Sequence, residues 1–127
     1  MKQTPAQHQR EIDEADELDR AITREQADIE DEMREELLAG AYIEIRYRRG
    51  VAVNKEIFDQ DNVIDAMIDL DSEGFNEAVM MIAAGKGRSE GEAFLEALLP
   101  RAVEQVIGLA KTREAAEYMM EQEDKAA

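Results

Sequence analysis

The feature that most limits how this chain can fold is its first third, where residues 6–39 contain neither proline nor glycine. Apolar side chains recur there every three, four or seven positions, which is the spacing of one face of a helix. At about 100° per residue they cover an arc of about 100°, the width of one buried face of an amphipathic helix. This apolar stripe consists of Ala15, Leu18, Ile22, Ile29, Met33 and Leu37. We therefore predict one long helix within residues 1–39, capped by Thr4 with Pro5 in its first turn and ended by Gly40.

A helix of that length extends about 50 Å at a rise of about 1.5 Å per residue. This is longer than the remainder of a chain of 127 residues can easily cover. Part of the helix is therefore expected to project from the domain or to pair with a second copy, and we predict a homodimer. The apolar stripe would then lie either in the dimer interface or against the rest of the chain.

Residues 41–54 change to a period of two, because Ile43, Ile45 and Tyr47 alternate with charged side chains. β-Branched and aromatic residues are also frequent in this segment, as they are in strands. We predict a strand that turns at Arg49-Gly50 and pairs with the residues that follow, which makes a short β-hairpin. Because a lone two-stranded ribbon is marginally stable in water, it must pack on helices or gain strands from a second copy.

Short apolar patterns of helical period fill the rest of the chain, with Asn54 as a candidate N-cap and Ile57-Phe58 as the first of them. Ser89 and Glu92 have the spacing of a capping box, so a helix is expected to begin there. Pro100 is expected to end or kink that helix. The predicted fold class is mainly α, in a single domain with three parts. These are a long acidic helix in residues 1–39, a β-hairpin in residues 40–54 and a helical core in residues 55–127.

Composition limits the classes of function. The chain has 31 acidic and 15 basic residues, a net charge of −16. Nucleic acids and anionic membranes favour lysine and arginine, so we expect direct binding to neither and expect a basic protein partner instead. Cysteine is absent, which excludes disulfides and thiolate chemistry and fits a reducing compartment, so we expect a cytoplasmic protein. No run approaches the ~20 apolar residues of a membrane span, and the opening residues lack the apolar centre of a signal peptide.

The segment 69–80 imitates a calcium loop in its first six positions, with acids at the first, third and fifth and a glycine at the sixth. Its twelfth position is Met80, where a calcium loop needs a bidentate glutamate. We therefore predict no calcium site. The segment is better explained by a helix that ends near Leu70 and a second helix capped by Asp71 or Ser72.

No motif for catalysis or cofactor binding is complete. The segment "AAGKGRS" lacks the first glycine and the hydroxyl residue of a phosphate loop, so Lys86 and Arg88 are interpreted as solvated charges in a connection between helices. His8 is the only histidine, which disfavours a metal site or a catalytic triad. We predict no catalytic residue, no metal ligand and no cofactor, and therefore not an enzyme.

The distinctive feature is the acidic run between Arg10 and Glu36, with thirteen acids, four arginines and a net charge of −9. Each arginine has an acid four residues away, and such pairs contribute about 0.2–0.5 kcal/mol each, offset by like-charge neighbours at the same spacing. The pairs are Arg10–Glu14, Arg20–Asp16, Arg24–Asp28 and Arg34–Glu30. Local electrostatics therefore do not explain the run, and a solubilising surface is the simplest explanation.

Charge spacing suggests a sharper explanation. Over about 40 Å of helix, the run carries one net charge per ~4.5 Å, against one per ~3.4 Å along a nucleic-acid strand. Two copies side by side reach one per ~2.2 Å and approach the ~1.7 Å of a duplex. The composition resembles that of small acidic helical proteins of phages and mobile elements that block DNA-binding enzymes of their hosts, although no motif matches a particular family.

We therefore hypothesise a non-enzymatic protein that binds a basic protein as a DNA mimic. The predicted partner-binding residues are Asp13, Glu14, Asp16, Glu17, Asp28, Asp31, Glu32 and Glu35. The alternative is a dimeric adaptor or structural oligomerisation module, in which apolar faces carry the function and the acids only confer solubility. A basic cluster on the predicted hairpin either neutralises the acidic helix of a neighbouring subunit or contacts nucleic acid or a phosphate ligand. It consists of Arg46, Arg48, Arg49 and Lys55.

Overall fold

The computed structural model describes the backbone of residues 5–126 and the side chains of residues 13–123. It confirms the predicted class: a long N-terminal helix, one antiparallel hairpin and a helical C-terminal part. Thr4 and the side chain of His8 lie outside the described residues. The elements are α1 (Pro5–Leu38), β1 (Ile43–Arg49), β2 (Ala52–Phe58), α2 (Gln60–Leu70), α3 (Ser72–Ala84), α4 (Arg88–Leu109) and α5 (Thr112–Ala126).

The apolar stripe of α1 divides into a covered and an uncovered half. Met33 and Leu37 are fully buried and Ile29 is nearly so, because α1 packs there against α4, α5 and β1. Ile22 is partly buried at the edge of this core. Ala15 is exposed and Leu18 is 54% exposed. The C-terminal half of the stripe is therefore core, while the N-terminal half has no cover within the described chain.

Gly40 ends α1 as predicted, in a left-handed conformation with a φ of +79°. Its N–H donates to the carbonyl of Leu37 at 3.2 Å, and the N–H of Ala41 donates to the carbonyl of Glu36 at 2.9 Å. This pair of bonds is a Schellman motif, which satisfies two of the last carbonyls of the helix. The chain then leaves α1 and enters β1.

The hairpin is longer than predicted. Its turn is Gly50-Val51, and Gly50 has a φ of +64°, which suits the first position of a type II′ turn. Asn54 lies opposite Tyr47 in the ladder, and Ile57-Phe58 continues β2, so the predictions of an N-cap and of a helical start at these positions were wrong. The hydroxyl of Tyr47 donates to Glu56 at 2.9 Å and so adds a side-chain hydrogen bond between the two strands.

The cap of α2 is Asp59 instead. Its carboxylate accepts from the N–H groups of Asp61 and Asn62, and the side-chain oxygen of Asn62 accepts from the N–H of Asp59 at 2.9 Å. This reciprocal capping box fixes the start of α2 directly after the sheet. The next junction follows the prediction: α2 ends at Leu70, and Asp71 caps α3 by accepting from the N–H of Gly74 at 2.9 Å.

At α4 the structure contradicts the predicted capping box and, of the two outcomes predicted at Pro100, excludes an end of the helix. The helix begins at Arg88 after Gly87, and the carboxylate of Glu92 accepts from Arg88 at 2.8 Å instead of closing a capping box with Ser89. The helix also continues through Pro100, whose ring is exposed to solvent. Buried residues on both sides of the proline hold the two segments in one helix, which offsets the ~3 kcal/mol that an interior proline costs. They are Leu98, Ala102, Val103, Val106 and Ile107.

Candidate protein-binding surface

All eight acids that the sequence predicted to bind a partner are exposed on α1. They form two groups, which we name the N-terminal and the C-terminal acidic clusters. At about 1.5 Å per residue, the centres of the clusters lie about 25 Å apart along the helix axis, with Arg20 and Arg24 between them. The N-terminal acidic cluster is Asp13, Glu14, Asp16 and Glu17, and the C-terminal acidic cluster is Asp28, Asp31, Glu32 and Glu35.

The N-terminal acidic cluster lies on the half of α1 that leaves the core. Every side chain from Asp13 to Arg20 is exposed, including the apolar Ala15 and Leu18. Directly beyond the cluster, Oδ1 of Asp19 lies 2.6 Å from Nη2 of Arg113 on α5. The described residues therefore leave this cluster exposed, with the ion pair between Asp19 and Arg113 at its base.

The C-terminal acidic cluster lies above the core and is partly neutralised within the chain. Arg34 is 2.7 Å from Asp31 and also forms two hydrogen bonds to the carboxylate of Glu104 on α4. The hydrogen bond from Arg34 holds the pKa of Glu104 below its ordinary value, and Glu104 in turn raises the pKa of Arg34. Among the described side chains, no ion pair involves the other three acids of this cluster, Asp28, Glu32 and Glu35.

The predicted ion pairs at i, i+4 are not the ones that form. Glu30 accepts a hydrogen bond from Gln26 at 3.4 Å, while Arg34 reaches across to α4, where a forked guanidinium meets both oxygens of one carboxylate. Among the described side chains, no ion pair joins Arg20 or Arg24 to an acid four residues away. The pair predicted for Arg10 lies outside the described side chains.

The basic cluster of the hairpin is largely paired with acids of the same chain. Arg46 and Lys55 lie 3.0 Å and 3.7 Å from the carboxylate of Glu44, and the hydrogen bond from Arg46 lowers the pKa of Glu44. Arg48 is 3.1 Å from Glu121 on α5 and lies over the ring of Tyr118. These contacts leave little unpaired positive charge for a phosphate ligand. Arg49 is exposed at the end of β1.

Within residues 13–123, no group of three or more acids or histidines is close enough to hold a metal ion. None of the helices, over the part that the structure describes, is both long and apolar enough to cross a membrane. Comparison of the chain with models of protein families, with curated proteins and with solved structures finds no match. The surface must therefore be interpreted from its own chemistry.

Sequence reasoning missed Glu104 and Arg113, two of the residues whose side chains join the acidic helix to α4 and α5. Neither belongs to a local motif, since their partners are 70 and 94 positions away in the sequence. The cap at Asp59 had a local signal, because aspartate three residues before asparagine, directly after an apolar pair, is a helix-start pattern.

Proposed function

We propose that this protein is a non-enzymatic binding protein whose acidic helix engages the basic surface of a nucleic-acid-binding protein, as a mimic of DNA. The observation that supports this proposal is the exposure of all eight predicted carboxylates along one continuous helix. The N-terminal acidic cluster is the principal contact, because its side chains are exposed in the part of the fold that the structure describes. In this role the protein acts in the cytoplasm as an inhibitor of the phage or mobile-element type.

The charge density of the described part of α1 fits such a role. Residues 13–36 carry twelve acids and three arginines, a net of −9. Over about 36 Å of helix this is one net charge per ~4 Å, close to the ~3.4 Å of a nucleic-acid strand. A partner that binds these charges releases counterions, as it does when it binds the phosphates of DNA. Because the helix already holds the charges at fixed spacing, no flexible chain has to be ordered on binding.

The second candidate is a dimeric adaptor, and the observation that favours it is the uncovered apolar half of the stripe. Ala15 and Leu18 are exposed on the projecting half of α1, where a second copy of the helix would cover them. In that case the acids serve solubility, and apolar pairing carries the function. A homodimer is also compatible with mimicry, because two parallel acidic helices double the charge density.

The test is capture from a host lysate followed by elution with duplex DNA at constant salt. Mimicry predicts that duplex DNA releases the captured proteins and that these bind DNA themselves. Proteins that duplex DNA leaves bound, and that salt alone does not remove, would contradict it.

Two variants separate the candidates. Replacing Glu14 and Glu17 by glutamine removes charge and keeps the size of the side chains, so mimicry predicts a large loss of capture. Leu18→Asp adds charge and removes the exposed apolar side chain, so the adaptor candidate predicts loss of function there and little effect of the glutamines. Leu18 is preferred to Ile22 because Ile22 also contacts the core.

A further inference from the structure

An apolar groove lies between α2, α3 and α4, on elements that the proposed function does not use. It encloses about 510 Å³. Its floor is formed by Ile64 and Met67 of α2, Phe75 of α3, and Leu95 and Leu99 of α4. Gln60, Glu92 and Glu96 complete the lining.

The floor is open to solvent. Ile64 is 37% exposed, and Phe75, Leu95 and Leu99 are each half-buried. No described segment of the chain covers these side chains from above. Because α4 lines the groove from Glu92 to Leu99, the groove is about 10 Å long, which matches two turns of a helix.

One rim of the groove is acidic. Glu92 and Glu96 lie one turn apart on α4, and both are exposed. Glu92 is 2.8 Å from Arg88, whereas the structure gives Glu96 no ion-pair partner among the described side chains. The elements around the groove are also negatively charged, since residues 59–109 carry eleven acids and three bases, a net charge of −8. An occupant of this groove must therefore combine apolar side chains with positive charge.

We propose that this groove binds a short amphipathic helix of a partner protein, with apolar residues one turn apart on the floor and lysine or arginine facing Glu96 and Glu92. A helix suits the site because the groove walls are themselves helices and offer no open strand edge. Apolar anchors at i, i+3 or i+4, and i+7 place side chains on one face at the length of the groove.

A second copy of this chain is a poorer occupant. The basic cluster of the hairpin contains four of the twelve bases in residues 13–123, and Glu44 and Glu121 already pair with three of its four cations. If this basic cluster bound in the groove of a second copy, it would lose its ion pairs with Glu44 and Glu121 and gain only equivalent pairs with Glu92 and Glu96. The inference rests on the groove alone and does not depend on the acidic clusters of α1.

The probe is a synthetic amphipathic peptide of about 15 residues, with leucines at i, i+4 and i+7 and lysines on the flanks. The control peptide has the same composition in scrambled order. Titration of the native full chain by fluorescence anisotropy is expected to show at least about tenfold tighter binding of the ordered peptide. Equal affinities would overturn the proposal, because general attraction between opposite charges would then explain all of the binding.

Protein variants locate the binding. Glu96→Gln is expected to weaken the ordered peptide about threefold to tenfold, because it removes the unpaired rim charge. Leu95→Ser is expected to weaken it about tenfold through loss of an apolar contact, with circular dichroism measured alongside to verify the fold. Glu17→Gln removes the same charge from α1 and is expected to leave the ordered peptide unaffected. An equal loss in Glu17→Gln and Glu96→Gln would contradict the proposed site.

Light scattering of the native chain tests the competing occupant. If the native chain is a dimer that Glu96→Gln converts to a monomer, a second copy fills the groove and the proposal is overturned. A monomeric native chain, or a dimer whose mass neither Glu96→Gln nor Leu95→Ser changes, supports a free groove. None of these results depends on elution by duplex DNA, so failure here and failure of the proposed mimicry are distinguishable.

Discussion

Arg113 on α5 lies 2.6 Å from the carboxylate of Asp19 on α1, directly below the N-terminal acidic cluster. Both side chains are about half exposed, so the pair is worth less than about 1 kcal/mol in stability. Its structural importance is its position, because this side-chain contact joins α5 to the base of the projecting half of α1. Gln26, which donates to Thr112 at 3.0 Å, is the next one toward the core.

Arg113→Ala is therefore expected to loosen α1 locally without unfolding the protein. The free energy of unfolding should change by less than about 1 kcal/mol, whereas amide exchange in residues 13–20 should become faster. Arg101→Ala, which removes an exposed arginine from α4, is the control. Unchanged exchange in residues 13–20 relative to this control would show that the pair does not anchor the helix.

Truncation along the apolar stripe should have unequal effects. Met33 is fully buried, so Met33→Ala should destabilise the protein by about 2–5 kcal/mol in urea denaturation. Leu18 is 54% exposed, so Leu18→Ala should change stability by about 0.5 kcal/mol or less in a monomer. A loss for Leu18→Ala that grows with protein concentration would reveal a dimer that covers it.

Two glycines of α4 should respond in opposite directions to the same substitution. A Cβ on Gly91 would lie 2.6 Å from the carbonyl oxygen of Ala78 on α3, so Gly91→Ala must separate the two helices. We expect a net loss of about 1–3 kcal/mol by thermal or urea denaturation. At Gly108 no atom beyond its chain neighbours and the backbone of its own helix lies within 4 Å of the same position, so Gly108→Ala should stabilise the helix by about 0.5–1 kcal/mol. Equal effects at both sites would refute the close approach of α3 and α4.

The ion pair between Arg34 and Glu104 should depend on pH in one direction. Arg34 lowers the pKa of Glu104 below its ordinary value of 4.5, so the pair stabilises the fold above that pH and is lost as the pH falls through the lowered pKa. Glu104→Gln should therefore be less stable than the native chain at neutral pH, by less than about 1 kcal/mol for this half-exposed pair. The stabilities of the two proteins should converge as the pH falls below the lowered pKa of Glu104.

Thermal denaturation across that pH range, with Glu77→Gln as a control on α3, measures the difference between the proteins. A difference that persists undiminished at acidic pH would assign the effect of Glu104→Gln to something other than its charge.

The apolar periodicity of the sequence and its turn-forming glycines predicted the larger elements, because the formation of these elements follows local rules. Gly40 ends α1 where the apolar stripe ends. Ile43, Ile45 and Tyr47 all face the core, as their alternation with charged residues predicted. Local rules failed where packing opposes them. Pro100 stays inside a helix because buried residues hold both sides of it, and Asn54 joins a strand because Tyr47 and its neighbours provide a ladder.

The sequence predicted which acidic residues make up the candidate site, but not which half of α1 is covered or which residues pair across the fold. The sequence showed which side chains of α1 are acidic, but the same apolar stripe allows either half of the helix to be covered. The partners of Arg34 were not predictable either, because the guanidinium binds Asp31 and, across a tertiary contact, both carboxylate oxygens of Glu104, and these contacts replace the predicted pair with Glu30.

The salt dependence of binding to a captured protein that duplex DNA releases tests the central claim most directly. The native chain is compared with Glu14→Gln/Asp16→Asn/Glu17→Gln, and with Asp65→Asn/Asp69→Asn/Glu77→Gln as a control of equal charge. We predict that the slope of log Kd against log salt falls by about 2–3 in the first variant and stays near the native value in the second. Equal slopes in all three proteins would contradict binding through the acidic helix.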